Sequence, residues 1–123
     1  MNVLEINVIV LAYLGDAIYE NYVRKHLINQ GIGNVNALQS ESLKCVSAKA
    51  QANYLKDMLE NNKLTEEEID VVKRARNYKT TSHPKSCDIV TYKYATGLEA
   101  LIGYLYLKGN KEMIDEIMNF ILK

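Results

Sequence analysis

Residues 5–29 read EINVIVLAYLGDAIYENYVRKHLIN, and this stretch decides the fold. Val10, Leu14, Ile18, Tyr22 and, after drift, Leu27 recur at helical spacing. The pattern stops at Gly31 and Gly33, residues suited to a helix C-terminus. A long first helix over roughly 5–29 follows, and no strand-like alternation interrupts it.

Working outward, Leu38, Leu43, Val46, Ala50, Tyr54, Leu55, Met58 and Leu59 repeat at threes and fours after Asn36, with a possible break near 40–42. Thr65-Glu66-Glu67-Glu68 fits a capping box, in which the Thr hydroxyl and the Glu68 carboxylate each take up a free backbone amide. The helix starting there carries Ile69 and Val72 inward, with acids first and Lys73, Arg74 and Arg76 last, as the helix dipole favours. Asn77–Cys87, crowded with Thr, Ser and His around Pro84, reads as a loop. Ile89, Tyr92, Leu98, Leu101, Ile102 and Leu105 predict a helix from about Asp88 to Leu107, ended by Gly109-Asn110. Met113, Ile114, Ile117, Met118 and Ile121 mark a short last helix. With no sustained two-residue alternation, the expectation is one all-α domain over residues 1–123.

Composition agrees with a packed domain: 48% of the 123 residues are hydrophobic, 24% are charged, and one Pro and six Gly interrupt the chain. Fifteen basic residues balance fifteen acidic ones, so net charge argues for neither a nucleic acid nor a membrane. Cys45 and Cys87 stand alone, which speaks against a disulfide framework or a zinc site and for a reducing cytoplasm. Val3–Leu14 is apolar but lacks a preceding basic residue and carries Glu5, unlike a signal peptide. No uncharged apolar run reaches the length of about eighteen residues that a membrane span needs.

Asp16 breaks the pattern of its helix, because its neighbours one and two turns away include Ile9, Ala12, Tyr13, Tyr19 and Val23. Desolvating a lone carboxylate costs several kcal/mol, so such a group is paired, hydrogen-bonded or bound to a cation. Gly15 beside it permits a close approach by another backbone or a ligand. Glu99 repeats the situation among Tyr92, Ala95, Thr96, Ile102, Gly103 and Tyr106. Two such acids meeting across a helix interface suit Mg²⁺, a hard cation that prefers oxygen ligands, and Glu20 one turn after Asp16 can assist through water. Spacing alone leaves open that both acids are ordinary helix residues paired with Lys, Arg or a Tyr hydroxyl.

Two runs separate these readings: Leu11-Ala12-Tyr13-Leu14-Gly15-Asp16-Ala17-Ile18-Tyr19-Glu20 and Thr96-Gly97-Leu98-Glu99-Ala100-Leu101-Ile102-Gly103-Tyr104-Leu105-Tyr106-Leu107. Together they resemble the two active-site signatures of the ribonuclease III catalytic-domain family. The likeness is closer to its short subfamily, Mini-ribonuclease III, which lacks an appended double-stranded-RNA-binding domain. Val46-Ser47-Ala48-Lys49-Ala50-Gln51-Ala52 and Lys73-Arg74-Ala75-Arg76-Asn77 resemble the same subfamily, in order along the chain.

The resemblance implies an all-helical homodimer of about five to seven helices per chain, with two active sites that each cut one strand of double-stranded RNA. It assigns the catalytic, metal-holding acids to Asp16 and Glu99, with Mg²⁺ as cofactor and Mn²⁺ as a substitute. It further implies hydrolysis leaving 5′-phosphate and 3′-hydroxyl ends, and a substrate in the large-subunit (23S) ribosomal RNA precursor of a bacterial cytoplasm. The larger enzymes of the family carry further acids where this chain has Ile9, Ala12 and Thr96. The supporting positions that remain are Glu20 and Thr96.

Lys73, Arg74, Arg76, Lys79 and Lys85 place five positive charges without an acid among them, whereas Asp57–Asp70 holds six acids against one Lys. With Thr80, Thr81, Ser82 and His83, this run is the expected RNA-binding segment, its cations displacing counterions and its hydroxyls donating to phosphate or 2′-hydroxyls. For an unselected run of this kind, a solvated helix end and loop is an equal reading. His26 is expected to be structural, and most of the nine Tyr, at helical spacing with aliphatic neighbours, to pack in core or interface with satisfied hydroxyls. The apolar stripe of residues 38–59 and the last helix are both candidate dimer surfaces. The competing function is a non-catalytic double-stranded-RNA-binding or scaffold protein that retains the fold. A redox di-metal bundle is set aside, since Val23 and Thr80 stand where Glu-x-x-His pairs would need acids.

Overall fold

The computed structural model describes residues 2–31, 41–79 and 87–122, with residues 41–46 described by their helical backbone alone. A 3-10 turn at Val3–Glu5 leads into α1 (Val8–Asn29), followed by α2 (Glu41–Glu60), α3 (Glu66–Arg76), α4 (Ile89–Leu107) and α5 (Lys111–Ile121). The described residues hold no strand, and the all-helical class expected from the spacing is the class observed.

Local chemistry sets the boundaries. Asn7, Thr65, Asp88 and Asn110 each cap the helix that follows by accepting a backbone amide on the side chain. At α3 the capping box is complete, with Glu68 N–H donating to Thr65 Oγ1 at 3.2 Å and Thr65 N–H donating to Glu68 Oε1 at 2.9 Å. Asp88 accepts both the amide of Thr91 at 2.9 Å and its hydroxyl at 2.8 Å, bonds that hold its carboxyl below the usual carboxylate value. Gly109, at φ +78°, supplies the left-handed residue between α4 and α5.

The cap gives a direct stability test. Thr65→Ala removes one half of the box and is expected to cost about 1 kcal/mol. That loss corresponds to a melting temperature lower by roughly 3–5 °C. An unchanged thermal transition would mean that α3 is held by packing alone.

α4 is the central element, packed against α1, α2, α3 and α5. Nine of its residues, from Ala95 to Leu105, are buried, and a helix buried on so much of its surface has to be surrounded by others. Leu11 and Tyr19 of α1, Tyr54 and Leu55 of α2, Val71 and Val72 of α3, and Ile114, Ile117 and Met118 of α5 complete one core. Of the apolar stripes expected as candidate dimer surfaces, Tyr54 and Leu55 of α2 and Ile114, Ile117 and Met118 of α5 pack into this core, while Leu38 and the side chains of Leu43 and Val46 lie outside the described residues. Among the described residues, the large apolar side chains exposed to solvent are Val10, Tyr13 and Ile28 on α1, Tyr78 after α3, Val90 and Tyr106 on α4, and Phe120 on α5.

Tyr19, Tyr54 and Tyr104 are buried as their spacing predicts, whereas Tyr13, Tyr78 and Tyr106 are exposed. Two hydroxyls tie helices together. Tyr104 on α4 donates to Glu67 Oε2 on α3 at 2.7 Å, and Tyr22 on α1 donates to Asp115 on α5. Burial, reinforced by these carboxylates, pushes both hydroxyls up to about 12. Tyr54 meets Phe120 edge-on, with ring centroids 5.0 Å apart.

Candidate active site

Two glycines decide where the acids lie. A Cβ built on Gly15 of α1 would sit 1.7 Å from the Glu99 carbonyl oxygen, and one on Gly103 of α4 would sit 2.1 Å from the Leu11 carbonyl oxygen. The two helices therefore touch backbone to backbone, closer than any residue with a Cβ permits at either point. Each glycine stands beside or one turn from an acid, Gly15 next to Asp16 and Gly103 one turn after Glu99. The close crossing brings those two carboxyls into hydrogen-bond contact.

The two acids differ in environment. Glu99 is half-buried, and its carboxyl is held well above the ordinary carboxylate range. Burial is the main cause, followed by the hydrogen bond with Asp16 and the negative charges of Asp16 and Glu20. Asp16 is exposed, which corrects the expectation that its carboxylate is sunk in an apolar face. Its α1 position borders open space, while Glu99 stands in the stretch of α4 from Ala95 to Leu105 where most residues are buried. Glu99 carries the desolvation that the sequence suggested for both.

Both acids line a cleft of about 540 Å³ between α1, α2 and α4, to which Ala75 of α3 and Tyr78 and Lys79 after it also contribute. Glu20 lies on its wall and receives Arg24 Nη2 at 2.8 Å, and Thr96 lies there with its hydroxyl donating to the Tyr92 carbonyl at 3.0 Å. The cations on the wall are Arg24, Lys79 and Lys93. Across from α1, Ser47 hydrogen-bonds Tyr19, whose hydroxyl is raised chiefly by burial, and Gln51 stands one turn further along α2.

Of the described residues of the basic run expected to bind RNA, Lys79 alone lines this cleft. Lys73 is exposed on α3. Arg74 is held by Asp70 at 3.0 Å and by the Leu4 carbonyl at 3.3 Å. Arg76 donates to the Tyr94 hydroxyl at 3.2 Å, with its guanidinium 5.1 Å from the centre of that ring. Thr80, Thr81, Ser82, His83 and Lys85 lie outside the described residues. Sequence reading missed Arg24 and Lys93. Arg24 was detectable as the residue two turns after Asp16 on the same stripe. Nothing local marks Lys93.

Among the described residues no cluster of three or more His, Cys, Asp or Glu side chains is gathered at one point. The candidate donor set is the Asp16–Glu99 pair, two carboxyls close enough that the charge of Asp16 raises Glu99. A hard divalent cation prefers oxygen ligands and would offset that like-charge repulsion, so the residues present fit such an ion.

Stability should report this coupling. Glu99's folded-state value lies above that of an unfolded glutamate, about 4.3. Its favourable contribution is therefore present below that value and is lost as pH rises through the folded-state value. In the metal-free protein the melting temperature is expected to fall across this window, and the fall is expected to shrink in Glu99→Gln. Identical pH profiles for the two proteins would show that the carboxyls do not interact.

A helical fold with an acid pair in a cleft lined by cations defines a metal-dependent phosphodiesterase as the class to consider. The sequence pattern of the Ribonuclease III domain matches residues 9–110, which span both acids. The chain belongs to the ribonuclease III domain family, metal-dependent endoribonucleases that act on RNA. Over 112 residues it is 52% identical to a Mini-ribonuclease 3 of Brevibacillus brevis, covering 91% of this chain and 82% of that protein. Over 119 residues it is 44% identical to a Mini-ribonuclease 3 of Enterococcus faecalis, covering 97% and 90%. An X-ray crystal structure of a Fusobacterium nucleatum protein shares the fold with a TM-score of 0.79 at 39% identity, covering 96% of this chain and 93% of that one.

Proposed function

We propose that this protein is a Mg²⁺-dependent endoribonuclease that hydrolyses both strands of duplex RNA to 5′-phosphate and 3′-hydroxyl ends, acting as a homodimer. The observation that carries this reading is the contact between Asp16 and Glu99 inside a cleft lined by cations. The two family signatures of the sequence come together there. The relatives' shared name, Mini-ribonuclease 3, supports the same activity.

Asp16 and Glu99 would hold the Mg²⁺, or Mn²⁺ in its place. When bound, the ion supplies acidity to the attacking water and positive charge to the departing 3′ oxygen. The remaining work falls to the chain. Lys79 and Lys93 neutralise phosphates along the cleft, and Glu20 holds Arg24 against the wall for the same purpose. The half-buried seat of Glu99 weakens the screening of its carboxyl by water, while the exposed Asp16 stays open to solvent. The proposed biological substrate is the precursor of 23S ribosomal RNA in a bacterial cytoplasm. The exposed Val10, Tyr13 and Ile28 on α1 are apolar surface available to a second copy.

The test is cleavage of an end-labelled RNA duplex in Mg²⁺, with EDTA as the blank and the product ends mapped enzymatically. Metal-dependent cuts in both strands with 5′-phosphate ends are expected. Binding of the duplex without cleavage in any divalent metal would replace the enzyme with a non-catalytic RNA-binding scaffold.

A further inference from the structure

Gln51 is the only buried polar or charged side chain among the described residues, 4% exposed, and it lies on the wall of the acid-lined cleft. A carboxamide that loses its water without gaining a hydrogen bond costs on the order of 1–3 kcal/mol, so any substrate that fills the cleft over Gln51 has to supply it with a partner. Its α2 neighbour Ser47 is already engaged by Tyr19. Gln51 has no such hydrogen bond to any described residue, yet no buried side-chain nitrogen or oxygen among them lacks a partner. Its carboxamide is therefore not sealed from solvent, and the cleft that Gln51 lines is where it can meet a partner.

We propose that Gln51 reads a ribose 2′-hydroxyl of the substrate strand and so makes the site select RNA over DNA; this rests on the endoribonuclease reading. The choice follows from the donors and acceptors that the cleft needs. Phosphate oxygens only accept and are matched by Lys79, Lys93 and Arg24, while a divalent cation wants the carboxylates. A neutral amide presents both a donor and an acceptor. In a nucleic-acid backbone the group that likewise both donates and accepts is the 2′-hydroxyl, with its O–H donating to Oε1 or its oxygen accepting from Nε2. A site whose buried amide is satisfied only by that hydroxyl discriminates strongly against a strand lacking it, because the amide is then left desolvated and unpaired.

The test is a double-mutant cycle between protein and substrate. Cleavage rates in Mg²⁺ and affinities in Ca²⁺ are measured for the native protein and Gln51→Met. The substrates are an all-RNA duplex and the same duplex with 2′-deoxyribose around the cleaved step. The native protein is expected to be about tenfold to a hundredfold poorer on the deoxy duplex. Gln51→Met is expected to lose about that factor on RNA and to treat the two duplexes alike within about threefold. Gln51→Asn, whose amide is withdrawn by one methylene, carries the same comparison if the Met variant does not fold. A folded variant that keeps the full deoxy penalty, or a native protein with none, overturns the proposal. A native protein that binds but cuts neither duplex would overturn the endonuclease reading instead. The 2′-hydroxyl comparison is then decided by the affinities.

Discussion

Glu99→Gln and Asp16→Asn are each expected to lower the rate of duplex cleavage by about a thousandfold while leaving RNA affinity within a few-fold of native. The pair is the whole candidate donor set, since Ile9, Ala12 and Thr96 supply no further carboxylate. Removing one of two charges from a metal site forfeits several kcal/mol of transition-state stabilisation. At 1.36 kcal/mol per tenfold, three powers of ten follow. Phosphate contacts come from other side chains, so binding survives. The Glu99 variant carries a second signature. Glutamine keeps the shape and can donate from Nε2 to Asp16 without needing a proton, so the like-charge conflict at neutral pH disappears. Glu99→Gln should therefore be at least as stable as native in EDTA and gain little from added Mg²⁺, whereas the native melting temperature should rise. An active Glu99→Gln protein would sink the two-carboxylate site.

Gly15→Ala is expected to destabilise the fold by about 3–5 kcal/mol, a large share of the roughly 5–15 kcal/mol that holds a domain of this size together. The added methyl group would meet the Glu99 carbonyl oxygen at 1.7 Å, and neither partner is the end of a flexible side chain. Relief requires α1 and α4 to move apart, which opens the core around Leu11 and Ile102 and draws Asp16 away from Glu99. Gly97→Ala is the internal control on the same helix. There the new Cβ would lie 3.2 Å from Leu55 Cδ2, the end of a side chain that can shift. The gain of alanine in a helix, about 1 kcal/mol, offsets the crowding. Urea midpoints of the two variants decide the matter. A Gly15→Ala protein as stable and active as native would mean that the helices do not cross this closely.

The two variants also show where the sequence is explicit. Thr65 and Glu68 are three residues apart, and so their mutual capping is legible without any tertiary information. The same holds for the helix ends at Gly31 and Gly109 and for the inward faces of α3 and α5, which follow from local periodicity. The basic run after Lys73 illustrates the opposite case. As a string it is one patch. In the fold, Arg74 and Arg76 turn to partners on other elements, Leu4 and Tyr94, while Arg24 and Lys93 from α1 and α4 join Lys79 at the cleft. Charge along a chain says how many cations there are, and only packing says which of them share a surface.

The sequence by itself determined the helical class and most helix boundaries, and it singled out the two acids proposed to hold the metal, because spacing, capping and motif order are written along one dimension. Tertiary structure decided that Glu99 is the desolvated member of the pair and Asp16 the exposed one. It also decided that Ile114, Ile117 and Met118 of α5 are core, and that Gln51 of α2 lines the same cleft as the acids of α1 and α4. Those properties depend on how closely and at what rotation three helices meet, and the close approach is set by Gly15 and Gly103 acting on residues more than eighty positions apart in the chain.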